Sequence, residues 1–192
     1  MRSIVFPFVI LVSIGACTDN SKESKTGTAA ITDSSTPLKS TENAAVTSPV
    51  SGMLVQHYLQ LKNALVNDNG TEAATAARQI MADMQQADAG SFSADQQKMY
   101  DDVKEDMKEH AEHISTNAAK LDHQREHFEM LSKDMYDMLK AFKPAQQLFL
   151  IHCPMYNDNK GANWLSESKD IKNPYYGKKM LDCGIVKEEI NP

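Results

Sequence analysis

Residues 93–142 read SADQQKMYDDVKEDMKEHAEHISTNAAKLDHQREHFEMLSKDMYDMLKAF, and this stretch decides the fold. Met99, Val103, Met107, His110 and Ile114 recur at intervals of three and four, which puts them on one face of a helix. Ser93 with Gln96 three residues on fits a capping box at its start. A second stripe runs Leu121, Phe128, Leu131, Met135, Leu139 and Phe142, and Pro144 follows it. As a single helix residues 94–142 would be about 73 Å long at 1.5 Å per residue, too long for a compact domain. Ser115-Thr116-Asn117, poor helix formers that favour caps, mark the break.

Working outward, Leu54, Tyr58, Leu61 and Leu65 form an earlier stripe, stopped by Asn67-Asp68-Asn69-Gly70, where the Gly can take a left-handed cap. Ala73, Ala77, Ile80, Met81 and Met84 form another, ending near Gly90. The reading is mainly α: an up-and-down antiparallel four-helix bundle with a small C-terminal irregular or β-hairpin tail. Most of the 11 Met residues fall on these stripes and read as core filler.

In the tail, Leu148-Phe149-Leu150-Ile151 reads as a short strand, followed at once by His152-Cys153-Pro154-Met155 and a polar loop to Gly161. Asn173-Pro174 opens a short helix that places Met180 and Cys183 on one face and ends at Gly184. Ile185-Val186 then pairs with the first strand, which brings Cys153 and Cys183 close together.

The first residues form an address. Arg2, an apolar run from Ile4 to Ile14, and Gly15-Ala16 before Cys17 have the anatomy of a signal peptide. The small residues before Cys17 resemble the lipobox of bacterial lipoproteins. That resemblance implies cleavage after residue 16 and a lipid anchor on Cys17, the alternative being ordinary secretion after Ala16 with Cys17 free. Residues 17–50 then act as a tether: Thr18 to Val50 holds 13 Ser or Thr and no aromatic residue, too little apolar area to offset ordering entropy. Residues 51–192 remain as a single helical domain with its Cys- and Met-bearing tail.

The composition narrows the function classes. The chain has 192 residues, 26 Asp and Glu against 20 Lys and Arg, and a net charge of −6, which disfavours a nucleic-acid partner. There is no Gly-rich phosphate loop, G-x-S-x-G elbow, H-E-x-x-H pair or CxxC redox motif. His152 and Cys153 are adjacent on a strand and point to opposite faces, so they make no nucleophile–base contact. A non-enzyme is expected.

The tail, with His152-Cys153-Pro154-Met155, Gly161 to Ser166, Asn173-Pro174-Tyr175-Tyr176-Gly177 and Met180-Leu181-Asp182-Cys183-Gly184, resembles the family catalogued as domain of unknown function 3347. Asp122 to Phe128 and Leu131-Ser132 look like that family's helical half, so the resemblance spans roughly residues 53–188. It implies an exported protein of Bacteroidetes-type bacteria, in a family also attached to adaptors of copper and silver efflux systems. Heavy-metal handling follows as an expectation.

The chemistry of the residues leaves two readings of the tail open. In the first, Cys153, Met155, Met180 and Cys183 supply soft thiolate and thioether donors that select Cu(I), with Ag(I) or Zn(II) as other candidates. His113, His127 and His152 can complete the site, because the late turns of one helix and the early turns of the next are neighbours in an antiparallel hairpin. The protein is then a lipid-anchored metal chaperone, buffer or resistance factor in a Gram-negative cell envelope, facing the periplasm, with a metal-efflux system or another envelope protein as partner. In the second, Cys153 and Cys183 form a plain disulfide in a structural or interaction lipoprotein.

Overall fold

The structure is a computed structural model and describes residues 49–192, with side chains from residue 52. The signal peptide, the lipidated Cys17 and the tether lie outside the described residues. Four long helices follow one another: α1 Pro49–Val66, α2 Gly70–Gln85, α3 Ala94–Thr116 and α4 Leu121–Phe142. Each packs on the next in sequence, the pattern of an up-and-down bundle. No described helix is long and apolar enough to cross a membrane.

The expected stripes form the core. Leu54, Tyr58, Leu61, Leu65, Ile80, Met107, Ile114, Phe128, Leu131 and Met135 are fully buried. The capping box of Ser93 and Gln96 is formed in both directions. Gly70 has another role than the expected left-handed cap: Asp68 takes the positive φ of 58°, and Asn69 caps α2 through a bond from the Glu72 N–H. Gly70 is needed because a Cβ there would lie 2.1 Å from the Ala118 carbonyl oxygen. The start of α2 therefore rests directly on the turn between α3 and α4.

The tail is a three-stranded antiparallel sheet, β1 Leu148–Cys153, β2 Ala162–Ser166 and β3 Ile185–Ile190, in the order β2-β1-β3. β3 lies beside β1 with His152 opposite Ile185, as Ile185-Val186 suggested. β2 is an addition to the hairpin expected from sequence; it pairs Trp164 with Ile151 and packs chiefly on α4. Tyr58 ties it in, accepting a bond from the Leu165 N–H at 3.1 Å while its hydroxyl meets Ser132 Oγ at 2.7 Å. The helix expected from Asn173 to Cys183 does not form. Only a 3-10 turn, Gly177–Lys179, is present, although Asn173 caps as expected by accepting from the Tyr175 and Tyr176 N–H groups. At Gly177 the chain turns with φ 53° in a space where a Cβ would lie 2.1 Å from Asp68 Oδ1, which closes the turn early.

Candidate metal centre

The α3–α4 hairpin brings four histidines together. α3 ends at Thr116 and α4 begins at Leu121, joined by a turn closed by Lys120 N–H to the Asn117 carbonyl at 2.9 Å. Gln124, fully buried, clamps it by donating Nε2–H bonds to the Gly70 and Ile114 carbonyls at 3.0 and 2.9 Å. With so short a turn, the last turns of α3 must face the first turns of α4. His110 and His113 are three residues apart on α3, His123 and His127 four apart on α4, so each pair shares a helix face.

His127 is the hub. Its ring stacks on His113 at 4.1 Å with an 11° interplanar angle and meets His123 edge-on at 4.7 Å. Its Nδ1 lies 3.2 Å from Nδ1 of His110. His113, His123 and His127 each offer a ring nitrogen, all within 4.8 Å of one another, and all three rings are half-buried. Among the described residues this is the group of three or more His, Cys, Asp or Glu with that convergence.

Three nitrogens about 3.4 Å apart would suit a tetrahedral ion at about 2.05 Å, so closing the set on a metal requires the side chains to rotate, the stacked His113 and His127 rings turning out of parallel. Burial, then the neighbouring His113, His123 and His110 rings, holds the His127 imidazolium down to about 4. At neutral pH the ring is therefore uncharged and keeps a lone pair for coordination. Two carboxylates flank the group, Glu126 at 3.4 Å from His123 Nδ1 and Glu109 at 4.0 Å from His113 Nε2. Their charge offsets that of a bound cation.

The soft donors form a separate arrangement. Cys153, fully buried at the end of β1, and Cys183, half-buried before β3, are free thiols with sulfurs 3.1 Å apart. Burial, with the Cys153 thiol beside it, pushes the Cys183 thiol up, partly offset by the Met155 N–H. It is Met155's backbone that meets the cysteine, while its side chain is 45% exposed and that of Met180 36% exposed. His152 turns away from the sulfurs, its Nδ1 bonded to Asn163 Oδ1 at 2.8 Å and its ring against Gly161. Among the described residues no thiol joins the imidazole group.

Of the residues picked from sequence, the structure thus brings His113 to His127 and Cys153 to Cys183, but it does not merge these pairs into one site. His123 completes the imidazole group and was not among those residues. Its signal was its place beside the same turn, four residues before His127 and hence on the same helix face.

No curated protein and no solved structure matches the chain. A family model matches residues 54–147, which span most of α1, all of α2 to α4 and the four clustered histidines. The match ends before β1, so the tail on which the resemblance was first read lies outside it. That model is described as "Protein of unknown function (DUF3347)", and over these residues the chain is similar to that family.

Proposed function

We propose that the protein is a non-catalytic, lipid-anchored metal-binding protein of a Gram-negative cell envelope. Its ion is copper, taken up as Cu(I), and its role is that of a chaperone, buffer or resistance factor. The observation that carries this reading is the convergence of His113, His123 and His127 at the end of the α3–α4 hairpin. Three imidazoles make a donor set that accepts copper and zinc alike. The paired thiols of Cys153 and Cys183 add soft donors of the class that takes Cu(I) and also Zn(II). Both donor sets thus suit copper and zinc, and the resemblance to a family attached to copper-efflux adaptors is what favours copper. Met155 and Met180 stay in the proposal as surface thioethers that can swing onto a thiolate-bound ion, and His152 as its most distant supplement.

The test is anaerobic titration of the reduced protein with Cu(I) against a chromogenic competitor, with Ag(I) and Zn(II) in parallel. Removing the three imidazoles (H113A/H123A/H127A) is expected to abolish one equivalent of tight uptake. C153S/C183S is expected to remove a second, Cu(I)-selective one. Equal uptake by wild type and the triple histidine variant would remove the imidazoles from the reading, and tighter Zn(II) than Cu(I) binding would replace copper by zinc. A second reading is favoured by the sulfur approach itself: a structural or interaction lipoprotein with a Cys153–Cys183 disulfide. Protein isolated unreduced with no free thiols and no metal supports that one.

A further inference from the structure

His110 stands next to the imidazole group without belonging to it, and its single contact there is directional. Its Nδ1 lies 3.2 Å from Nδ1 of His127, with the two rings inclined at 45°. Two neutral imidazoles at that separation share one proton, and the bond can run either way. If His110 donates, the His127 Nδ1 lone pair is consumed and the remaining proton of that ring sits on Nε2. His127 then has no free lone pair and cannot hold a metal. If His127 donates, its Nε2 is left bare. Coordination by His127 with this bond intact therefore requires the second arrangement.

We infer that His110 is a positioning residue for the metal centre, accepting the Nδ1–H of His127 so that Nε2 of His127 faces the ion. The inference rests on the imidazole reading above and deepens it. A ligand imidazole ordinarily gives its other N–H to an acceptor, which fixes the tautomer and makes the ring a stronger donor. Here the acceptor is another histidine. Cation binding at Nε2 would make the Nδ1–H more acidic, so metal and hydrogen bond strengthen each other. In that arrangement the proton of His110 sits on its own Nε2, the nitrogen away from the shared bond. Among the described residues His113 and His123 make no hydrogen bond to another imidazole; the carboxylates of Glu109 and Glu126 approach their rings instead.

The experiment separates positioning from packing by two substitutions at one place. In H110N the amide oxygen can occupy the position of the lost Nδ1 and still accept. In H110L the volume is kept and the acceptor is gone. The tautomer of His127 is read first in the metal-free intact chain, by NMR of isotope-labelled histidine. The expected result is an Nδ1–H form in wild type and H110N, and loss of that preference in H110L. Cu(I) and Zn(II) titrations then follow, and H110L is expected to bind about 10- to 100-fold more weakly, the usual effect of losing an outer-shell partner, with H110N near wild type.

A wild-type His127 carrying its proton on Nε2 overturns the inference. So does H110L binding as tightly as wild type when H127A does not. If wild type takes up neither ion, the metal reading fails and the positioning role with it. The His127 Nδ1–H signal, seen without any metal, tells that failure apart from a wrong hydrogen-bond direction.

Discussion

Arg125→Met removes one of the groups that tie the helices to the tail. Arg125 lies on α4, is 4% exposed, and reaches in three directions. Nε donates to the Pro174 carbonyl at 2.9 Å, and one terminal nitrogen donates to the Leu65 carbonyl at 3.2 Å and to Asp68 Oδ1 at 2.5 Å. Met fills much of the same volume, so the loss is polar rather than a cavity. Breaking a buried ion pair from one side costs about 3 to 5 kcal/mol when the remaining charge is stranded. Asp68 would not be stranded, since its side chain is 29% exposed and keeps the Lys178 N–H at 3.3 Å. The two carbonyls lose a charged donor each, and the net cost is about 3 kcal/mol. At about 3 to 4 °C per kcal/mol, Tm falls by about 10 °C. The effect carries a pH signature. Burial alone would raise the Asp68 carboxyl, but the bond from Arg125 and the Lys178 N–H outweigh it and hold it below the usual range. A depressed carboxyl stabilises the fold above its unfolded pKa of about 3.9, and that share is lost as pH falls through its folded value. The gap between wild type and R125M should therefore be widest near neutrality and narrower below about pH 4. Urea denaturation at both pH values measures it. A neutral-pH difference under about 1 kcal/mol, against the 3 expected, would refute this account of how α4 holds the tail.

Three further outcomes follow from the same geometry. Oxidising Cys153 and Cys183, 30 residues apart in sequence, should raise stability by about 3 to 4 kcal/mol in the chain-entropy model, read as the shift in urea midpoint between oxidised and reduced protein with thiols counted in each. Tyr58→Phe leaves the buried Leu165 N–H without its acceptor and should cost about 1 to 3 kcal/mol by the same denaturation. His127, held low by burial and its neighbouring rings, takes up a proton in the unfolded chain before it does in the fold, so stability drops as pH falls from about 6.5 toward about 4. In H127Q that part of the acid slope should be missing, and an unchanged slope would count against the depressed value.

The helices were legible because a 3.6-residue period survives in any context where one face is buried. The break at Ser115-Thr116-Asn117 and the Ser93 box were legible because caps act locally, through the adjoining turn. The tail was harder. β2 went unseen because Ala162–Ser166 is too short for a clear alternation, and Asn163 and Ser166 disguise a segment buried at four of five positions. Asn173-Pro174 gave a true helix-start signal, but the close approach of Asp68 to Gly177 overrode it, a contact 109 residues distant. At the site, His113 and His127 could be paired from the hairpin alone. The same hairpin argument brings His123 to that turn, but its place off the apolar stripe of α4 did not show that its ring would lean onto His127.

The separation of the two donor sets changes what a metal-handling role would require. A single mixed site would be lost whole on oxidation of its sulfurs. Here the hairpin that holds His113, His123 and His127 is fixed by Gln124, the Lys120–Asn117 turn and the start of α2, none of which involves a cysteine. Closing the Cys153–Cys183 bond would remove the thiolates and leave the imidazoles where they are. Strand alternation enforces the split: His152 and Cys153 are neighbours in β1 and face opposite ways, so the histidine nearest the sulfurs in sequence is turned from them in space. On the proposed reading, the chain takes two equivalents of copper when its thiols are reduced and one when they are oxidised. The imidazole centre is then the site suited to an oxidising envelope, and the dithiol the one whose occupancy follows the redox state around it.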